Sequence, residues 1–189
     1  MGYMNPTKTV FRWSDAEVRA SDIASLERTP ILTKEVYVDR PAAWLDSRHG
    51  ADCLSPRETL GHLIEGEIGL WIPRARHILQ SKEESPFEPF DVTVGNKISY
   101  QRSVEDLVDE FARLRAASLL ELERLQINDL DLGKIGNHPK FGRVTLDELL
   151  STWVAHDLYH LGQIFKAFAA PFQASIGPWQ EFLNLPNFN

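Results

Sequence analysis

The sequence is poor in cysteine, in basic residues and in long apolar runs, and each shortage excludes a class of protein. Cys53 is the only cysteine, so neither an internal disulfide nor a cysteine-rich zinc module can form. Lys and Arg number 20 against 27 Asp and Glu, and this net charge of −7 argues against a general nucleic-acid binder. No stretch approaches the roughly 18 apolar residues of a membrane-spanning helix, and the first residues, MGYMNPTKTVFRWSD, do not resemble a signal peptide. We therefore expect a cytoplasmic protein that binds neither nucleic acid nor a membrane.

What is present suits one ordinary domain. The chain has 189 residues, of which 43% are hydrophobic and 25% charged, close to the average for a soluble globular domain. A chain of this size buries about 70% of the surface that its unfolded form exposes, which is enough for one core. We find no internal repeat and no low-complexity linker, so we expect a single domain over residues 1–189.

Helix-start signals recur along the chain. A Ser or Thr followed three residues later by an acidic residue is the pattern of a capping box, and it occurs at Ser14, Ser55, Thr145 and, more loosely, Ser103. The signals predict helices over about 15–28, 56–80, 103–127 and 145–169. Pro30 should interrupt the first element and restart a helix to about Val38, and Pro171 should end the last.

The connections between these helices are long. Residues 81–102 form a Pro-bearing stretch in which KISYQ, at 97–101, is the only strand candidate. The segment from Asn128 to Gly142 is predicted to be a turn-rich loop. The pattern favours an all-α fold, a four-helix bundle with a long crossover connection.

Histidines are the residues best placed for metal chemistry. His156 and His160 lie four residues apart on the last predicted helix, which stacks two imidazoles on one face. The same spacing also suits a surface pair or a hydrogen-bonded core pair. A third ligand would come from His49, His62, His77 or His138. His62 lies among glycines that permit close approach, but a helical wheel places it opposite the apolar stripe. Either this helix packs on two sides, or His62 is exposed; the wheel alone favours exposure.

Three acidic residues lie near these histidines. Asp157 falls within the apolar stripe of the last helix, where a carboxylate needs a partner. It either pairs with a bundle arginine such as Arg12, Arg74 or Arg76, or orients a ligand histidine. Glu65, one turn after His62, is either a general base, part of a solvated face or the partner of an arginine such as Arg74 or Arg76. Glu67 falls on the apolar stripe and favours a buried ion pair.

Three segments resemble the DinB-like superfamily of metal-binding four-helix bundles: SPRETLGHLIEGEIGLWIPRARHIL, HPKFGRVTLDELLSTWVAHDLYHLGQI and IGPWQEFL. The resemblance implies that His62, His156 and His160 hold one divalent metal ion, Zn, Ni or Fe, with an open coordination position typical of catalytic sites. Relatives include transferases that use low-molecular-weight thiols, and many others look like metal-dependent hydrolases. The resemblance thus implies an enzyme with a small-molecule substrate, either a thiol S-transferase or a hydrolase. Glu65 and Asp157 are the candidate catalytic residues.

Two other functions compete with this one. The His156-Asp157 pair is similar to the dyad of HD-type phosphohydrolases, but that family needs a later Asp and none follows Asp157. The chain could also be a non-catalytic bundle that binds a metal or a small molecule. The aromatic tail at 171–189 is expected to pack on the bundle, and it equally suits a homodimer contact.

Overall fold

The structure, a computed structural model, describes residues 13, 15–48, 50, 53–80 and 85–183. The helices are α1 (Ala16–Tyr37), α2 (Ala42–Leu45), α3 (Pro56–Gly69), α4 (Trp71–Leu79), α5 (Val92–Ser99), α6 (Val104–Arg124), α7 (Asp129–Leu132), α8 (Leu146–Ala169) and α9 (Gln180–Leu183). The strands β1 (Ile135–His138) and β2 (Gly142–Thr145) pair in antiparallel fashion, and short 3-10 turns lie at Ala170–Phe172 and Gly177–Trp179.

Four helices, α1, α3, α6 and α8, form the bundle, as the sequence predicts. Both α1 and α3 pack on α6 and on α8. The first two helices of the bundle therefore stand at opposite corners, and the chain crosses one end of the bundle between Val38 and Ser55. None of the helices in the described ranges has the length and the continuous apolar character needed to cross a membrane.

Side-chain caps fix where the bundle helices begin. Complete capping boxes form at Ser55 and Thr145, and Ser103 accepts a hydrogen bond from a backbone N–H of the first turn of α6. The first helix is capped by Asp15, whose carboxylate accepts two backbone N–H groups; Ser14, which the sequence suggested for that place, lies outside the described residues. Three of the four predicted starts are thus confirmed as capped.

The predicted break at Pro30 is wrong, because α1 runs through it without interruption. A proline has no N–H to donate to the carbonyl four residues earlier, which here is that of Leu26. Nη1 of Arg115, from α6, donates to this carbonyl at 2.9 Å. A side chain from the neighbouring helix thus replaces the missing helical hydrogen bond.

The predicted second helix is interrupted instead. The backbone departs from helical geometry at Leu70, with φ −104° and ψ −69°, so residues 56–80 form two helices, α3 and α4. Pro73 lies in the first turn of α4, where its missing N–H has no helical partner to lose.

The segment KISYQ is not a strand, because its first three residues end α5. Asp91 caps this helix by accepting the N–H of Thr93 at 2.8 Å. The helix then packs so closely on α3 that a Cβ atom at Gly61 would collide with the carbonyl of Gly95. The side chains of KISYQ suit a short strand, but the close packing of Gly95 on Gly61 favours a helix in this segment.

The predicted turn-rich loop contains the β1–β2 hairpin. The ring of His138 stabilises its turn, since Nδ1 accepts the N–H groups of Lys140 and Phe141 at 3.1 and 3.3 Å. The hairpin also holds the long connection, because the N–H of Phe87 donates to the carbonyl of Asn137 at 2.9 Å.

The C-terminal tail is described as far as residue 183. The Phe172 ring packs edge-on against Trp44 at 5.3 Å, whereas Trp179 and Phe182 are largely exposed. Packing of the whole tail on the bundle and a homodimer contact through it both stay predictions.

Candidate metal centre

Three histidine side chains from two helices converge at one point. His62 projects from α3, and His156 and His160 project from consecutive turns of α8. Nε2 of His156 lies 2.9 Å from Nε2 of His62 and 3.1 Å from Nε2 of His160. Among the described His, Cys, Asp and Glu residues, these three form the one group with metal-ligand spacing.

The wheel-based expectation that His62 is exposed is wrong, because α3 is covered on two sides. Its apolar face packs into the bundle, and the segment after α4 covers the other side. The ring of Phe90 in that segment lies 5.8 Å from the His62 ring and would be 3.9 Å from a Cβ at Gly69. His62 is therefore half-buried and directed toward α8.

Neighbouring side chains hold the other two rings. Nδ1 of His160 lies 2.7 Å from Oε1 of Gln163, and Nε2 of Gln163 donates to the Tyr159 hydroxyl at 3.2 Å. A hydrogen on Nδ1 leaves the lone pair of His160 on Nε2, directed into the cluster. The His156 ring packs at 5.1 Å against Trp71, which stacks on Trp153.

The surroundings keep the cluster uncharged. Burial, with the nearby His160, lowers the pKa of His62 to about 4. Burial, with both neighbouring histidines and Arg115, lowers the pKa of His156 to about 2. Burial also lowers the pKa of His160, although Gln163 and Asp157 partly oppose it. All three rings are therefore neutral near pH 7, the form that binds a metal.

The donor set fits one divalent cation. With their lone pairs turned inward, the three Nε2 atoms would repel each other unless a cation lay between them. Metal–imidazole bonds of about 2.0–2.1 Å place neighbouring nitrogens roughly 2.8–3.4 Å apart for bond angles of about 90–110°. The observed 2.9 and 3.1 Å lie at the lower end of that range.

Asp157 lies beside this cluster but is held by Arg115. Nη1 and Nη2 of Arg115 donate to both carboxylate oxygens, at 2.6 and 3.0 Å, and Nη2 also donates to Glu67 at 2.7 Å. The three side chains are at most 2% exposed. The geometry supports the ion-pair interpretation, with a partner that the sequence did not suggest. Both carboxylate oxygens of Asp157 accept hydrogen bonds from Arg115, which disfavours the HD-type alternative; a direct catalytic role for Asp157 stays a prediction.

This ionic group lies between two apolar clusters. The Arg115 guanidinium packs against Phe111 of one cluster and Trp153 of the other, at 5.1 and 5.2 Å from the ring centroids. Burial opposes the charge of Arg115, but Glu67 and Asp157 outweigh it and raise the pKa of Arg115 above its ordinary value. The group links α1, α3, α6 and α8 beneath the histidines.

Glu65 is the acidic side chain that stays available near the cluster. It is half-buried, one turn along α3 from His62, and a Cβ at Gly95 would lie 2.9 Å from its Cγ. It takes part in no hydrogen bond or ion pair with the described residues. Burial raises the pKa of Glu65 above its ordinary value, which makes its carboxylate a stronger base.

Sequence reasoning missed Arg115 and Gln163. Arg115 lies on the apolar face of α6, four residues after Phe111 and three before Ser118, and this unusual position was its signal. Gln163 follows His160 by three residues, within reach on a helix. Of the other candidate ligands, His77 and His138 flank Phe87 outside the cluster, and His49 lies outside the described residues.

Comparisons with known proteins agree with this fold. The family model of the DinB superfamily matches residues 25–164. The structure of YfiT from Bacillus subtilis, a probable metal-dependent hydrolase with an unusual four-helix bundle topology, is 19% identical, covers 94% of this chain and 95% of YfiT, and has a TM-score of 0.71. The four-helix bundle protein TT2238 is 18% identical over 76% of this chain and 94% of its own, with a TM-score of 0.48. No curated protein matches the chain. At this identity the likeness to YfiT shows the fold.

Proposed function

The chain belongs to the DinB superfamily, and from this premise and the geometry of its histidines we propose that it is a metal-dependent enzyme acting on a small molecule. The observation that carries the proposal is the convergence of three neutral imidazoles from α3 and α8, with Nε2 atoms 2.9 and 3.1 Å apart. YfiT, which shares the fold, is a probable metal-dependent hydrolase. Three protein ligands leave a position open, as in catalytic rather than structural sites.

Each residue of the site has a distinct task. His62, His156 and His160 hold one divalent ion, Zn, Ni or Fe. When bound, such an ion lowers the pKa of water or of a thiol and so supplies a nucleophile near neutral pH. Glu65 accepts the proton that the nucleophile releases, because its carboxylate has no partner in the described part of the chain and its pKa is raised by burial. Gln163 holds His160 in the tautomer that presents Nε2.

The reaction is either hydrolysis or transfer of a low-molecular-weight thiol, and the nucleophile distinguishes the two. Protein reconstituted with Zn, Ni or Fe is assayed against a panel of esters, amides and lactones, and against electrophiles with and without added thiol. We expect turnover in one panel that is abolished by a chelator. Glu65→Gln should lower kcat by about 10²–10⁴-fold, while Glu123→Gln, an exposed change on α6, should not.

Two results would contradict the proposal. Turnover that is unaffected by the chelator would remove the metal from the reaction. Tight metal binding with no turnover in either panel would favour a non-catalytic metal-binding bundle instead.

A further inference from the structure

Arg74, on α4, has a guanidinium group for which the described residues supply no acceptor. The residue is half-buried, yet its side chain makes no hydrogen bond and no ion pair with the described residues. Arg76, two residues later on the same helix, is paired with Glu121. In a chain with a net charge of −7, an arginine that pairs with no carboxylate in the described ranges is unusual. Its five N–H donors remain available to a ligand.

The Arg74 side chain rests on a fixed support. Its guanidinium carbon lies 5.1 Å from the ring centroid of Phe87, in cation–π geometry. Phe87 is only 2% exposed and is held by its backbone hydrogen bond to the Asn137 carbonyl. The fork of donors is therefore presented from a rigid base, which lowers the entropy lost on binding.

A second cation, Lys140, shares the surroundings of Arg74 at His138. Burial, and then the charges of Arg74 and Lys140, lower the pKa of the neighbouring His138. Burial also lowers the pKa of Arg74, although an arginine stays protonated in a protein. A partly desolvated cation without a counterion is stabilised by any anion that reaches it.

Two segments that carry or support Arg74 also contact the histidine cluster. Trp71, one turn before Arg74 on α4, packs its ring 5.1 Å from that of His156. Phe90, three residues after Phe87, packs its ring 5.8 Å from that of His62. The Cα atoms of Phe87 and Phe90 can be at most about 11 Å apart. Arg74 and the histidine cluster thus border the same two segments, α4 and the chain from Phe87 to Phe90.

We propose that Arg74 binds an oxyanion of the substrate, a carboxylate or a phosphate, and so selects anionic small molecules for the histidine centre. The planar fork of a guanidinium matches both groups with two parallel hydrogen bonds. That the bound anion is then a substrate rests on the proposed function. Binding of the anion by Arg74 does not, and it can be measured in metal-free protein.

The test uses metal-free full-length protein and three probes: inorganic phosphate, benzoate, and the neutral isostere benzamide. Binding is followed by NMR through the Nε–Hε resonance of Arg74 in labelled protein. We expect phosphate or benzoate to shift this resonance, and benzamide to leave it unchanged. Arg74→Met should weaken binding of that anion by at least about tenfold. Arg76→Met, the matched control on the same helix, should retain the affinity of the natural chain.

Several outcomes would overturn the inference. One is that neither anion shifts the Arg74 resonance, a result that needs no variant. Another is equal affinity in the natural chain and Arg74→Met, and a third is an equal loss in both variants, which would indicate a diffuse surface field. Metal content, measured separately, tests the proposed function, so failure of one leaves the other standing.

Discussion

Removing Arg115 should destabilise the bundle more than any surface substitution. Arg115→Met keeps an unbranched chain in the space between Phe111 and Trp153 but deletes hydrogen bonds of 2.6, 3.0 and 2.7 Å to two buried carboxylates. Leaving a buried charge without its partner costs about 3–5 kcal/mol. The lost bond to the Leu26 carbonyl adds about 1 kcal/mol. The sum, about 4–6 kcal/mol, is a large part of the roughly 5–15 kcal/mol that stabilise a typical domain.

The assay is urea unfolding of metal-free protein at pH 7, followed by circular dichroism. Arg113→Met is the matched control, since Arg113 pairs with Glu110 at the surface, where an ion pair contributes little to stability. The loss in Arg115→Met should shrink in acid, where the two abandoned carboxylates can take up protons. Neutralising both carboxylates in the same chain should restore part of the stability. An Arg115→Met protein as stable as the control would refute the ion-pair argument.

Three further predictions follow from the same contacts. Pro30→Ala supplies an N–H to the Leu26 carbonyl, which Arg115 satisfies in the natural chain. A double-mutant cycle should therefore show that Pro30→Ala raises the free energy of unfolding by about 1 kcal/mol more in the Arg115→Met background than on its own. Gln163→Leu should weaken metal binding by about 10–100-fold in a competition titration, because the acceptor at Nδ1 of its histidine is lost. Since the folded pKa of His62 is about 4 and that of His156 about 2, against 6.5 when unfolded, the metal-free protein should lose stability as pH falls below about 6.5.

Each of these has its own control. Additive effects of the two substitutions in the cycle would mean that proline and arginine do not share the carbonyl. Gln163→Glu, which keeps an acceptor, should retain most of the metal affinity, and equal losses in both variants would argue against orientation by Gln163. The acid dependence should weaken when His62 and His156 are replaced together by Ala. If stability falls with pH just as steeply in that variant, other titrating groups cause the acid dependence.

Local signals in the sequence predicted the bundle well. The capping boxes at Ser55 and Thr145 depend only on residues three apart, and the structure has both. The placement of Asp157 and Glu67 inside the bundle follows from helical periodicity, and both are buried. Such features are decided within one helix, so a single sequence contains them.

The errors arose where distant contacts decide the conformation. The helix through Pro30 continues because Arg115, 85 positions away, supplies the missing donor. The α5 helix forms where a strand was expected, against a glycine of α3. The direction of His62 depends on Phe90, in a segment that no pattern within α3 reveals. The resemblance to a family named the three histidines; the wheel alone would have left one of them in solvent.

The most direct test of the central claim is elemental analysis of protein purified without a chelator or a metal-affinity tag, with His156→Ala prepared in parallel. We expect about one Zn, Ni or Fe per chain in the natural protein and a large loss in the variant, while circular dichroism shows the bundle still folded. His138→Ala, which removes a histidine outside the cluster, should keep its metal. Absence of metal from the natural protein even after reconstitution, or full occupancy in His156→Ala, would contradict the account.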